Sequence, residues 1–131
     1  MNVQTYKLLL ACALVAGLGG CNTVSAIKNV SQVPVATAGK AATTDDVQKA
    51  IIRAGAALGW QVKPTEPGIM IGTLNLRTHM AMIEIKYDTQ SYSITYKDSA
   101  NLDYNGKYIH KNYNGWIENL DKGIRTQLAL N

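Results

Sequence analysis

Between His79 and Lys97 the chain alternates apolar and polar residues twice, with only a turn between the two runs. His79, Ala81, Ile83, Ile85 and Tyr87 share one side of an extended chain, and Met80, Met82, Glu84 and Lys86 share the other. After Asp88-Thr89-Gln90, the residues Tyr92, Ile94 and Tyr96 repeat the theme against Ser91, Ser93, Thr95 and Lys97. Side chains of a strand point alternately to opposite faces, so the pattern predicts two antiparallel strands with one apolar and one wet side. An apolar sheet face has to be covered, and the flanking segments must supply the cover.

Two of those segments have helical periodicity. Thr43-Thr44-Asp45-Asp46 reads as a helix start: the Thr43 hydroxyl can accept from backbone N–H groups, and the aspartates favour the positive end of the helix dipole. Val47, Ala50, Ile51, Ala54 and Leu58 then recur on one face, with Gln48, Lys49 and Arg53 off it, and Gly59 stands where a left-handed residue ends a helix. Towards the C-terminus Ile109, Tyr113, Trp116, Ile117, Leu120, Ile124 and Leu128 form the clearest amphipathic stripe, opposite Lys111, Glu118, Lys122 and Arg125. Asn112, Asn114 and Gly115 weaken its beginning, which leaves a break or late start near Asn112 open.

Trp60-Gln61-Val62 predicts a short strand, ended by Pro64 and a Glu66-Pro67-Gly68 turn. Residues 69–77 predict a second strand with an unassigned inward face: Ile69 and Ile71 project one way, Met70, Leu74 and Leu76 the other, and a bulge at Gly72 would reconcile them. Thr78 begins a tight return, and residues 98–106 are rich in turn formers and read as a loop. The resulting fold class is α+β, a two-layer sandwich of about four antiparallel strands with two helices on one face, in the order α-β-β-β-β-α over residues 44–131.

Residues 22–43 hold neither period. Their Asn, Thr, Ser, Ala, Val, Gly and Lys with one Pro34 read as a flexible tether. As a coil of about 22 residues it would reach about 25 Å. The alternative is that Val30 to Val35 lies on the domain or a partner as an extended strand.

The first twenty residues are of another kind. Lys7 and the amino terminus give a basic start, and Leu8 to Leu18 an apolar run with the length of a secretory signal, too short for the roughly 20 residues of a spanning helix. The run closes on Leu18-Gly19-Gly20-Cys21, which resembles the lipobox of bacterial lipoprotein signal peptides. That resemblance implies cleavage between Gly20 and Cys21, attachment of diacylglycerol to the Cys21 thiol and acylation of its new amino group. Each buried acyl CH₂ contributes about 0.8 kcal/mol, so two or three chains hold a protein permanently. Asn22 in the following position resembles the outer-membrane sorting class, which implies an outer-membrane anchor with the domain facing the periplasm. The alternative is a plain secretory signal cut elsewhere.

Loss of residues 1–20 removes Lys7 from thirteen basic side chains, leaving twelve against nine acidic ones. The cations are scattered, which argues against nucleic acid as a partner. Cys12 goes with the signal and Cys21 with the lipid, so the remainder has no disulfide, thiolate nucleophile or zinc-thiolate site. No phosphate loop, nucleophile elbow or H-E-x-x-H motif occurs. Accordingly the sequence assigns no catalytic residue, no metal ligand and no cofactor.

Ligand-binding candidates gather around the 98–110 loop. Tyr96, Tyr104, Tyr108 and Tyr113 offer a wall for a sugar or peptide, or simply pack their rings at a rim. His110 would hydrogen-bond the loop or act as an acid–base with Asp98 or Asp103, and Ser99 completes a set of triad residue types without a geometry. His79 opens a strand on its apolar side and is more simply a structural histidine. Met80 and Met82 lie on the wet side, where methionine can repack against varied partners. They mark a candidate partner surface, the alternative being partial cover by the tether.

The element order is similar to helix-grip-like domains of envelope lipoproteins such as BamC of the outer-membrane barrel-assembly machine. Tyr96-Lys97-Asp98-Ser99-Ala100-Asn101-Leu102 and Ile109-His110-Lys111-Asn112-Tyr113-Asn114-Gly115-Trp116 resemble a family of small proteobacterial lipoproteins, which implies a fold and no activity. The expected function is a non-enzymatic binding or assembly module, membrane-bound by its lipid, acting on an envelope protein or cell-wall component. The alternatives are a peptidoglycan or small-ligand binder using loop 98–110 and, third, an envelope hydrolase.

Overall fold

The computed structural model describes residues 22–131. The expected signal peptide, the expected cleavage after Gly20 and the expected lipidation of Cys21 lie outside the described residues. Nine elements follow in order: β1 (Val24–Ala26), β2 (Val30–Pro34), α1 (Thr44–Ala57), β3 (Gln61–Glu66), β4 (Ile69–Leu76), β5 (His79–Tyr87), β6 (Ser91–Ala100), β7 (Tyr108–His110) and α2 (Lys111–Ala129). Strands β2-β6-β5-β4-β3 form one antiparallel sheet, and β1 pairs with β7 in a second. The fold is α+β, a two-layer sandwich.

The alternation at 79–97 acts as the sequence demands. Ala81, Ile83, Ile85, Tyr87, Tyr92 and Ile94 point into one core with Val47, Ala50, Ile51 and Ala54 of α1 and Tyr113, Ile117, Leu120, Ile124 and Leu128 of α2. Helix α1 is closed at its start by a reciprocal cap: the Thr43 hydroxyl accepts from the Asp46 N–H at 3.1 Å and the Asp46 carboxylate from the Thr43 N–H at 2.9 Å. Those bonds to the ionised form hold the Asp46 carboxyl below its ordinary value. At the other end Gly59 has φ +85°, the left-handed conformation that ends helices. Leu58, expected on the buried stripe, is exposed instead, since the helix ends at Ala57.

Strand β4 buries Met70 and Leu74 and leaves Ile69, Ile71 and Thr73 on the outer side. Gly72 is not a bulge. It pairs in register with Ile83, and a Cβ there would lie 3.0 Å from Ile83 Cγ1 and 3.5 Å from Trp60 Cε3, so the missing side chain makes room for two larger ones. Strand β3 runs through Pro64 because it is the sheet edge, where a proline forfeits no ladder bond. The register irregularities lie instead between Pro64 and Glu66, at Lys97 of β6 opposite Met82 and Ile83, and between Val30 and Val33 of β2.

The largest correction concerns the tether, where the alternative of an extended strand from Val30 is the one the domain adopts. Residues 24–26 and 30–34 are strands of the domain, with Val30 opposite Ile94 and Val33 opposite Tyr92. Val30 and Val33, 9% and 6% exposed, fill the end of the apolar face that a four-stranded sheet would leave open. Gln32 between them takes φ +52°, and this irregularity hid the strand period. A second correction follows: β6 extends through Ala100, and Ile109 belongs to β7 rather than to the last helix, because β1 supplies a partner for residues 108–110. Among the described residues, no helix is long and apolar enough to cross a membrane.

Candidate functional site

The bulge in β6 creates a hollow. Tyr96 pairs with Ile83 and Asp98 with Met82, so Lys97 is the extra residue and the strand bends. Tyr96 and Ser99 then meet on one side, their hydroxyls 2.8 Å apart, and Asp98 accepts from the Ser99 N–H at 2.8 Å. Asn29, between β1 and β2, accepts from the Tyr96 N–H at 3.0 Å and so ties the bulge to the N-terminal segment. Tyr104 returns over Tyr96 with ring centroids 4.1 Å apart and planes tilted by 34°. The result is an open hollow of about 490 Å³ lined by Tyr96, Lys97, Asp98, Ser99, Asn101 and Tyr104, among others. Burial raises the Tyr96 hydroxyl above its ordinary value, opposed by the bond to Ser99 and reinforced by Tyr104 and Asp98.

Four sequence candidates, Tyr108, Tyr113, His110 and His79, do not line that hollow. Tyr113 is fully buried beneath it, its ring edge-on to Tyr96 at 5.8 Å, so it offers no surface to a ligand. Its hydroxyl is enclosed without a hydrogen-bond partner, and the loss of water raises its pKa. His110 caps α2: its Nδ1 accepts from the Asn112 N–H at 3.2 Å, which answers the poor helix formers that follow. His79 Nδ1 bonds the Asn101 carbonyl oxygen at 2.7 Å, and Asn101 in turn donates to the Thr78 carbonyl at 2.6 Å. The His79 ring thus holds the loop after β6 in place, while the His110 ring closes the start of α2. The Ser99 hydroxyl bonds Tyr96 and His110 Nδ1 bonds Asn112, so Asp98 meets Ser99 only at its backbone N–H and the three side chains form no triad; among the described residues no group of three His, Cys, Asp or Glu side chains could hold a metal ion.

The second candidate surface is the outer side of the five-stranded sheet. Met80 and Met82 are half-buried there, beside Thr73 and Asn75 of β4 and opposite Ala100 and Asp98 of β6. Ile69 and Ile71 continue the apolar character across β4. Two further hollows indent this side: one of about 310 Å³ around Gln32, Ile69, Lys86, Asp88 and Ser93, and one of about 250 Å³ around Gln61, Lys63, Thr65, Ile71 and Thr73. Sequence reasoning missed Ile69 and Ile71 on this face because the β4 pattern left its orientation open. It missed Gln32, whose side chain accepts from the Ser91 hydroxyl at 3.1 Å, because the segment read as tether. No family model, curated protein or solved structure matches this chain.

Proposed function

We propose that the protein is an outer-membrane lipoprotein, anchored through Cys21, whose periplasmic domain is a non-enzymatic binding module for an envelope protein, docked on the outer face of the five-stranded sheet. The observation that carries this reading is the contrast between the two sides of the sheet. One side is sealed by α1 and α2 over a filled core, while among the described residues nothing covers the half-buried Met80, Met82, Ile69 and Ile71 on the other. Partly exposed methionines and isoleucines between polar rims form a surface that adapts to an apolar partner patch.

Photocrosslinking in intact cells tests the reading. Probes at positions 80, 82 and 93 should give one discrete protein adduct, abolished by Ile71→Asp, whereas probes at positions 53 and 122 on the helix layer should not give it. Adducts confined to the helix layer, or none from the sheet, would refute the docking face.

A second reading has its own observation, the Tyr96–Tyr104 pair beside Ser99 and Asp98. An aromatic step beside hydrogen-bonding groups suits a sugar ring, so this hollow would take a peptidoglycan fragment. Backbone resonances of residues 96–104 should then shift on titration with muropeptides, and unmoved resonances would dismiss it.

A further inference from the structure

We infer that the β1–β7 end of the domain lies directly against the headgroups of the bilayer, held there by Lys107, Tyr108 and Lys111. The inference rests on the lipid anchor at Cys21 and deepens it, because the structure removes the slack such an anchor would otherwise have. Strand β1 begins at Val24, and the Thr23 carbonyl already accepts from the Lys111 N–H at 2.9 Å. A chain spans at most about 3.6 Å per residue, so the three steps from Cys21 to Val24 reach no more than about 11 Å, against about 25 Å for a free tether through residue 43.

What surrounds that exit point fits a lipid surface. Val24 pairs with His110, and Ala26 with Tyr108. Tyr108 is 39% exposed despite its size, and the Lys107 ammonium stands 5.4 Å from its ring centroid. Lys107 and Lys111 are both exposed, and Asp103 is the one carboxylate between residues 102 and 111. On the neighbouring elements Lys28 and Glu118 neutralise each other at 2.7 Å, Arg125 pairs with Asp121 further along α2, Lys122 stands beside them on α2, and β6 contributes Lys97 and Asp98. An amphipathic ring with a cation on it, and a second cation beside it, is the combination that settles at the boundary between lipid headgroups and water. Asn114 donates to the Ser25 hydroxyl and the Ala26 carbonyl and accepts from the Lys28 N–H, which fastens β1 to the first turns of α2, so this end is built to bear the anchor rather than to trail from it. Strand β5 runs from His79, which bonds Asn101 of the loop leading to β7, to Tyr87 beside the Asp88–Gln90 turn, a length of roughly 30 Å for nine residues at about 3.3 Å each.

The full-length lipidated protein, reconstituted in vesicles of phosphatidylethanolamine and phosphatidylglycerol, tests the orientation. Spin labels are placed on single cysteines, Tyr108→Cys in one sample and Gln90→Cys in another, with a paramagnetic chelate on the lipid headgroup. Relaxation enhancement at 108 should exceed that at 90 by roughly tenfold or more, given the length of the sheet. With position 112 labelled instead, each of Lys107→Glu and Lys111→Glu should weaken the part of the contact that depends on phosphatidylglycerol by about fivefold. Equal enhancement at both ends, in protein whose lipid mass is verified, overturns the orientation and leaves the anchor standing. A bare Cys21 in the mass spectrum of the native protein overturns the anchor itself. Insensitivity to both charge reversals and to phosphatidylglycerol overturns the role given to the lysines.

Discussion

Truncating Val30 and Val33 to alanine together tests whether the N-terminal segment belongs to the fold. Both side chains are nearly sealed, at 9% and 6% exposure, over Ile94 and Tyr92. Each truncation removes two methyl groups worth about 0.8 kcal/mol apiece, with a cavity cost on top where the surroundings fail to close. The pair should therefore destabilise the domain by about 3 kcal/mol, a large share of the 5–15 kcal/mol that holds typical domains together. For a domain of this size that lowers the melting temperature by roughly 12 °C. Urea unfolding of the chain from Asn22 onward, followed in parallel by circular dichroism and by Trp60 and Trp116 fluorescence, measures the effect. The midpoint should fall with the slope unchanged, since the same surface is exposed on unfolding. A double variant within about 0.5 kcal/mol of the parent would refute the reasoning, for a loosely attached strand could be trimmed at no cost. The membrane geometry inferred above does not hang on that outcome, because β1 is held separately by its ladder with β7 and by Asn114.

Two tyrosines should respond to loss of their hydroxyls in opposite directions. Tyr92 donates to the Asp121 carboxylate at 2.6 Å across the sheet–helix interface, and Asp121 is only 19% exposed, so Tyr92→Phe should cost about 1.5 kcal/mol by chemical denaturation. A double-mutant cycle with Asp121→Asn should show coupling of similar size, and a coupling near zero would remove that bond from the account. Tyr113→Phe removes a buried hydroxyl that has no partner, so it should be neutral or stabilising by up to about 1 kcal/mol; a loss above about 1 kcal/mol would show that the hydroxyl is satisfied after all. Acid should weaken the fold through Asp46, Asp88 and Glu118. Bonds from Thr43, from the Ser91 and Gln90 N–H groups, and from Lys28 hold these carboxyls below their ordinary 3.8, 3.8 and 4.5. A lowered pKa gives stability that is complete above the ordinary value and is lost as pH falls through the folded one. The urea midpoint should thus be flat above about pH 5 and drop below pH 4.5, less steeply in Asp88→Asn, and an unchanged slope in that variant would contradict the assignment.

Local rules were enough wherever a residue's partner is near in sequence or its face is set by period. The Thr43–Asp46 cap, the Gly59 stop, the hairpin at 79–97 and the stripe from Tyr113 to Leu128 each follow from contacts within a few residues or from a single repeating angle. The fold class follows too, because one greasy sheet face and two amphipathic helices have one economical way to be covered. The candidate site was legible in part. The sequence brings Tyr96, Ser99 and Tyr104 near one loop, but the separation of Tyr113 beneath them and of His110 as a helix cap depends on the bulge at Lys97 and on where α2 begins.

Tertiary structure alone decided the fate of residues 22–35. In sequence they are short, polar-rich and broken by an irregular residue at Gln32, with too little apolar surface to form strands by themselves. They become strands because distant segments offer open edges: Ile94 and Tyr92 of β6 for Val30 and Val33, and residues 108–110 for residues 24–26. A strand's ladder bonds belong to its neighbour as much as to itself, so no window confined to the segment could contain that information.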